Sequence, residues 1–169
     1  MNKWKSLLSG GDLRSIGQSN EVVRLITCQE DFDAVFAFLF DNNRLLVMRA
    51  ADALEKCSLD HPEYLTAHKK EILQLSADVT HIELKWHLAL FIARLHLSNA
   101  EADLASSFLF EWLSNKNESK IVRVNALQSI AELSKDNPKL KNRLIKLLPS
   151  ILSEQIPSLK ARIKKLKLL

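Results

Sequence analysis

Apolar residues return along this chain at a period of about 37 residues, which indicates an internal repeat. One column of apolar positions is formed by Val35, Ile72, Leu109 and Leu147, with its last step one position longer than the first two. A neighbouring column has the same steps and is formed by Phe36, Leu73, Phe110 and Leu148. Two further columns begin about a third of a period later and comprise Val47, Leu84, Val122 and Leu159, and then Ala51, Leu88, Ala126 and Ile163. Four aligned columns predict four copies of one structural unit.

The spacing within each unit predicts two helices joined by a short turn. Val122, Ala126 and Ile130, for example, lie at i, i+4 and i+8 and form one apolar stripe. The first helices of the four units are expected at about 31–40, 62–77, 101–114 and 138–153. The second helices are expected at about 45–58, 81–97, 119–135 and 157–168. Because two helices cannot bury such a stripe alone, neighbouring units must stack.

Residues at the predicted helix ends support these boundaries. Thr80–Glu83 and Ser98–Glu101 both fit the S/T-x-x-E capping box, in which two side chains satisfy exposed amides reciprocally. Pro62 and Pro138 stand at or near first turns, where a missing N–H costs nothing. Pro149 lies inside the predicted helix 138–153 and is expected to kink it.

Residues 1–30 do not follow the repeat. The segment 20–28 predicts one short helix that covers the exposed end of the first unit, as solenoids commonly require. Residues 1–19 are expected to form a loose lead-in, with Trp4 either docked on the body or exposed.

Composition excludes several classes of protein. The three glycines are Gly10, Gly11 and Gly17, so dinucleotide folds and P-loops, which need glycine for tight backbone turns, are excluded from the repeat region. Cys28 and Cys57 lack CxxC spacing and are typical of small core residues in a reduced protein. The first residues lack the apolar stretch of a signal peptide, and no run of about 18 apolar residues predicts a membrane span. A cytoplasmic location is therefore expected.

The repeat period is longer than those of tetratricopeptide units, about 34 residues, and of ankyrin units, about 33 residues. Two second-helix segments, 47–54 (VMRAADAL) and 121–127 (IVRVNAL), resemble the V-R-x-x-A-x-x-L pattern of HEAT and armadillo repeats, with the Ala and Leu offset by one. The stretches MRAADALEK and ELKWHLA are also similar to those of uncharacterised bacterial HEAT-like proteins. The resemblance implies an all-α fold, a right-handed α-α superhelix of about four HEAT-like helix pairs with an N-terminal capping helix. The expected domains are 1–30 and 31–169, the latter with units at about 31–58, 62–97, 101–135 and 138–168.

The same resemblance implies that second helices line the concave face, where partners bind. The apolar anchors of these helices are Val47, Leu84, Val122 and Leu159. Positions beside these anchors then form a basic surface with one aromatic platform. Its residues are Arg49, Lys56, Lys85, Trp86, His87, Arg94, Arg123, Asn125 and Arg162. Because arginine and tryptophan are typical interface anchors, we expect a non-catalytic binding or scaffold module for a protein partner of acidic character. A competing interpretation has Trp86 filling the ridge between adjacent second helices.

Charge keeps a second interpretation open. Residues 139–169 contain nine Lys or Arg against Glu154 alone, a net charge of +8, whereas the rest of the chain carries −4. A basic groove with an aromatic residue also suits nucleic acid. The chain resembles HEAT-like DNA glycosylases in repeat type and basic groove, and Trp86 and Asp52 are the residues that such chemistry would use. The basic C-terminal segment is otherwise explained as a solvated helix.

Signals for catalysis, metals and cofactors are weak. Glu83 and His87 are one helical turn apart, but a zinc site needs three or four ligands, and no HExxH motif or cysteine pair supplies the others. No GxSxG motif or Cys–His arrangement indicates a nucleophile. Asp52 lies one turn from both Arg49 and Lys56, which predicts a salt-bridge network. We therefore expect no cofactor, no metal and no small-molecule substrate.

Overall fold

A computed structural model describes residues 3–168 and shows an all-α protein, without a strand among those residues. The α-helices are α1 (Lys3–Leu8), α2 (Ser19–Leu25), α3 (Gln29–Phe36), α4 (Arg44–Asp60), α5 (Lys69–Asp78), α6 (Ile82–Ile92), α7 (Asn99–Ser114), α8 (Lys120–Leu133), α9 (Pro138–Ser153) and α10 (Pro157–Lys165). Two 3₁₀ helices, Ala37–Phe40 and Pro62–His68, extend α3 and precede α5. Residues 1, 2 and 169, which belong to the predicted ranges 1–30 and 31–169, lie outside the described part.

The repeating apolar columns mark the core. Fifteen of their sixteen residues are buried, and the remaining one, Leu147, is half-buried. The observed helices also agree with the eight predicted ones to within a few residues, apart from an earlier end of α6 at Ile92. Apolar spacing was therefore sufficient to locate the pairs of helices and their buried faces.

The chain divides into two compact units, one ending at Lys69 and the other beginning at Lys70. The predicted boundary after residue 30 does not coincide with this division. The reason is that α1 and α2 pack against α4, so that the N-terminal region and the first helix pair form one unit.

Helix α4 is the centre of the first unit and contacts α1, α2, α3 and both 3₁₀ helices. Ala50, Ala51 and Ala53 are fully buried, and their small side chains let the surrounding helices approach α4 from several sides. Trp4 on α1 is only 4% exposed and packs in the core. The expectation of a loose lead-in is thus wrong for residues 3–8, which form a docked helix.

Helix α8 is the centre of the second unit and contacts α6, α7, α9 and α10. The second helices α6, α8 and α10 follow one another as neighbours, because α8 contacts both of the others. Eight residues of α8 are buried, among them Val122, Leu127 and Ile130. This order of neighbours places the second helices of three successive pairs beside one another.

Helix ends confirm one capping box and correct another. Ser98 Oγ accepts a hydrogen bond from the Glu101 N–H, and the Glu101 carboxylate accepts one from the Ser98 N–H at 2.8 Å. Helix α6 instead begins at Ile82 with His81 at its N-cap, one residue later than a box from Thr80 to Glu83 requires.

Helix α9 contains two prolines, Pro138 at its start and Pro149 in its interior. Pro138 stands in the first turn of α9, after the N-cap Asn137, whose side chain accepts from the Leu140 N–H. Helix α9 continues without interruption through Pro149.

No helix within residues 3–168 combines the length and apolar character that crossing a membrane requires.

Candidate binding surface

Side-chain hydrogen bonds connect the second helices of the second unit. The Asn125 side chain on α8 donates to the Trp86 carbonyl on α6 at 3.4 Å, and Ser129 Oγ donates to the Ala89 carbonyl at 2.6 Å. On the other side of α8, Arg162 of α10 donates to Gln128 Oε1 at 2.9 Å. These contacts bring four half-buried residues together in a row that we call the second-helix strip, namely Trp86, Asn125, Gln128 and Arg162.

Trp86 is intermediate between the two expected states, since it is half-buried rather than a fully exposed platform or a core residue. Its ring centre lies 5.5 Å from that of His87, tilted by 59°. His87 itself is only 6% exposed, so its expected place on the binding surface is wrong. The position of His87 among buried residues of α6 leaves Trp86 as the aromatic residue that reaches the surface there.

Lys85 is engaged in an ion pair. Its Nζ lies 2.8 Å from Glu118 Oε2, in the turn between α7 and α8, and 5.7 Å from the centre of the Trp112 ring. Burial raises the pKa of Glu118, but hydrogen bonds from Lys85 and from the Ser119 N–H outweigh this, so the pKa is below its ordinary value. This ion pair therefore ties α6 to the turn between α7 and α8, and it occupies the Lys85 ammonium group.

Arg123 is fully buried, which contradicts its expected exposure on a groove. Its Nε donates to the Leu113 carbonyl at 2.9 Å, and its two terminal nitrogens donate to the two oxygens of Glu154 at 2.7 and 2.8 Å. The Arg123 hydrogen bonds, against some desolvation, keep the pKa of Glu154 below its ordinary value. Periodicity correctly placed Arg123 beside the stripe, but its long side chain reaches into the interior rather than into solvent.

Arg49 is the second buried arginine, 1% exposed, and its expected exposure is also wrong. Its guanidinium donates to four backbone carbonyls, one at the end of α1 and three in the segment between α1 and α2. The acceptors are Leu8 at 2.9 Å, Ser9 at 3.0 Å, Ser15 at 3.1 Å and Asp12 at 3.4 Å. Arg49 therefore organises the N-terminal loop, and it takes no part in the predicted network with Asp52.

Glycine makes this loop possible. Gly17 has φ +56, and a Cβ atom built there would lie 2.7 Å from Arg49 Cζ. Gly11 has φ +71, and its Cβ would lie 3.2 Å from Arg49 Nη2. Only a residue without a side chain lets the backbone approach the guanidinium this closely in a left-handed conformation.

The remaining nominated residues lie at different places. In the first unit, Lys56 Nζ donates to Asp52 at 2.7 Å and to Asn20 at 2.8 Å, and Ser19 Oγ donates to Asp52 at 2.6 Å, which ties α2 to α4. In the second unit, Arg94 is half-buried just beyond the end of α6. Of the nominated residues, the structure thus brings Trp86, Asn125 and Arg162 together.

Sequence reasoning missed the two acidic residues that pair with Lys85 and Arg123. Glu118 precedes the anchor Val122 by four positions, and Glu154 precedes the anchor Leu159 by five. Both lie in turns between the two helices of a pair. An acidic residue shortly before the anchor of each later second helix was the signal that could have revealed them.

A cavity of about 510 Å³ lies where α6 and α8 end, lined by residues that include Leu95, Asn99, Glu132 and Asp136. Across residues 3–168, no group of three or more His, Cys, Asp or Glu side chains is placed to hold a metal ion.

The thiol of Cys57, in the first unit, is buried. Burial, with smaller contributions from Asp60 and Glu63, raises its pKa to about 11. The thiol is therefore protonated at neutral pH and a poor nucleophile.

Comparison of the chain with models of protein families, with curated proteins and with solved structures finds no match.

Proposed function

We propose that this chain is a non-catalytic HEAT-like repeat protein that binds a protein partner through the second-helix strip. The observation that carries the proposal is the row Trp86, Asn125, Gln128 and Arg162, which the hydrogen bonds between α6, α8 and α10 hold in place. A half-buried tryptophan beside an arginine matches the residue types that dominate protein interfaces. Because internal hydrogen bonds already order the side chains of Asn125, Gln128 and Arg162, binding costs little side-chain entropy at these residues.

The architecture supports the HEAT-like part of the proposal. In the second unit α6, α8 and α10 are successive neighbours, and α8 also packs against α7 and α9. Stacked helix pairs with equivalent helices side by side are the arrangement of α-solenoids. The proposal therefore includes the right-handed superhelix of about four pairs that the repeat predicts.

Charge pairing favours a protein partner over nucleic acid. Binding to nucleic acid depends on Lys and Arg side chains that neutralise phosphates. Lys85 and Arg123, central to the predicted basic groove, are instead paired with Glu118 and Glu154. Arg162 donates to Gln128, so the strip presents a mixed polar and aromatic surface rather than a row of available cations.

A glycosylase-like reaction has little support from the residues that it would use. Asp52 accepts hydrogen bonds from Ser19 and Lys56 and joins α2 to α4. Trp86 belongs to the other compact unit. Since the carboxylate has a structural role in its own unit, we assign the strip to binding rather than to catalysis.

Photo-crosslinking in cells tests this function. A benzophenone amino acid is placed at Ile121, an exposed residue of α8 one helical turn before Asn125, and in a matched variant at Leu104, an exposed residue of α7. We expect a discrete crosslinked product from position 121 that nuclease leaves intact, and no such product from position 104. A product that nuclease destroys, or equal products from both positions, contradicts the proposal.

A further inference from the structure

Two ion pairs in the second unit repeat one design. Lys85 on α6 and Arg123 on α8 occupy the position that directly follows the apolar anchor of their helix. Each pairs with a carboxylate from the turn of the following helix pair, Glu118 at 2.8 Å and Glu154 at 2.7 Å. In both cases the basic residue that follows the anchor binds a glutamate from the turn of the next helix pair.

Lys160 occupies the same position on α10, directly after the anchor Leu159. It donates to the Gln155 side chain, in the turn of its own helix pair. In residues 139–169 the one acidic residue is Glu154, and its two oxygens accept from Arg123. The third basic residue of the series therefore bonds to a neutral amide where the other two bond to a carboxylate.

Helix geometry gives the direction in which Lys160 points. On α8, Asn125 bonds to α6, whereas Arg123, two residues earlier and about 200° away around the helix, reaches the turn before α10. On α10, Arg162 bonds to α8 through Gln128. Lys160 is again two residues earlier, about 200° around the helix, and so lies on the edge of α10 that faces away from α8.

The chemistry of this edge indicates what it binds. Lys164 lies one turn after Lys160 on the same edge, at the position that Leu127 occupies on α8. Leu127 is fully buried, whereas Lys164 is exposed. A lysine at this position matches the apolar face of a further repeat, or a second basic copy of this edge, less well than a leucine does. An acidic surface complements it instead.

We propose that the outer edge of α10, formed by Lys160 and Lys164, binds an acidic helical segment of a protein partner. A carboxylate of that segment meets Lys160 as Glu118 meets Lys85 in the chain itself. This edge is separate from the second-helix strip, because Lys160 and Arg162 point in opposite directions around α10. The inference holds whether or not the strip binds a partner.

A synthetic peptide tests the proposal. The probe is a labelled amphipathic peptide of about 20 residues with leucine on one face and glutamate on its flanks, together with a version in which glutamine replaces every glutamate. Binding to the full chain is measured by fluorescence anisotropy at about 0.15 M salt. We expect the glutamate peptide to bind, and Lys160→Glu to weaken its affinity about tenfold or more while Lys160→Arg retains it.

Matched variants separate this result from a general effect of charge. Lys70→Glu makes the same change of charge at an exposed position of α5 in the same unit, and we expect less than about a threefold loss. Trp86→Ala should leave binding of the peptide unchanged, which separates this edge from the second-helix strip. Circular dichroism confirms that each variant is folded.

The proposal is overturned if the glutamate peptide does not bind, or if the glutamine peptide binds equally well. Equal losses from Lys160→Glu and Lys70→Glu would show that only overall charge matters. Tighter binding of a DNA duplex than of the peptide at the same salt concentration would assign this edge to phosphates instead.

Discussion

The guanidinium of Arg123 and the carboxylate of Glu154 form two parallel hydrogen bonds, of 2.7 and 2.8 Å, in the second unit. The two side chains are 1% and 11% exposed, so the pair lies mostly out of water. It joins α8 to the turn between α9 and α10, and Arg123 also reaches the carbonyl at the end of α7. One arginine thus connects three parts of two successive helix pairs.

Breaking this pair should destabilise the fold. Removal of one partner leaves the other charge buried, so we expect Glu154→Gln or Arg123→Met to lower the free energy of unfolding by about 3 kcal/mol. The double variant Arg123→Met with Glu154→Leu should lose less than the sum, because no uncompensated charge remains. Urea denaturation measures all three. The exposed pair Lys139–Asp103 is the control, and Lys139→Gln should cost less than about 1 kcal/mol. Strictly additive losses for Arg123 and Glu154 would contradict the coupling.

Stability should fall in acid through Glu118 and Glu154. The pKa of each carboxyl is lower in the folded chain than its ordinary value, because Lys85 and Arg123 stabilise the charged form. Their contribution is complete above the unfolded pKa of about 4.3 and is lost as the pH falls through the folded pKa. We expect the free energy of unfolding to decline below about pH 5, and Glu118→Gln with Glu154→Gln to flatten that decline. An unchanged slope in this double variant would contradict the role of the two pairs.

The loop over Arg49 should tolerate one glycine substitution better than another. Gly10 and Gly17 both have positive φ, but a Cβ at Gly10 meets open space and one at Gly17 meets the guanidinium at 2.7 Å. Gly10→Ala should therefore cost about 1 kcal/mol, from backbone strain alone. Gly17→Ala should cost more and should expose α1 to proteolysis, since Arg49 must move. Equal losses in thermal unfolding for the two variants would show that the close approach is unimportant.

The repeat of apolar residues was sufficient to predict the helices, because burial follows helical spacing directly. Val35, Leu84 and Val122 were predicted as core residues from their spacing and are buried. The same spacing could not determine where the guanidinium groups of Arg49 and Arg123 lie, since a long side chain reaches several ångströms from its own helix. Their partners are loop carbonyls and a turn carboxylate, and the spacing of apolar residues marks neither.

The N-terminal segment was also predicted incompletely. The absence of glycine after Gly17 excludes phosphate-binding loops from the repeat region, but the spacing of the three glycines does not show that Gly11 and Gly17 lie against Arg49. Six residues of α1 were too few for a periodic signal, although Trp4 packs in the core. Such contacts depend on residues more than 30 positions apart, which local patterns do not contain.

Trp86 provides the most direct measurement of the central claim, that the second-helix strip binds a protein partner. For a partner recovered by crosslinking at position 121, calorimetry compares the affinities of the native chain, Trp86→Ala, and the control Ile145→Ala at an exposed residue of α9. We expect Trp86→Ala to weaken binding by about 2 kcal/mol or more, roughly 30-fold, with little change in melting temperature, and Ile145→Ala to leave affinity within about 0.5 kcal/mol. A Trp86→Ala protein that melts at a lower temperature yet binds with native affinity would show that the tryptophan only packs against its neighbours, and would contradict the account.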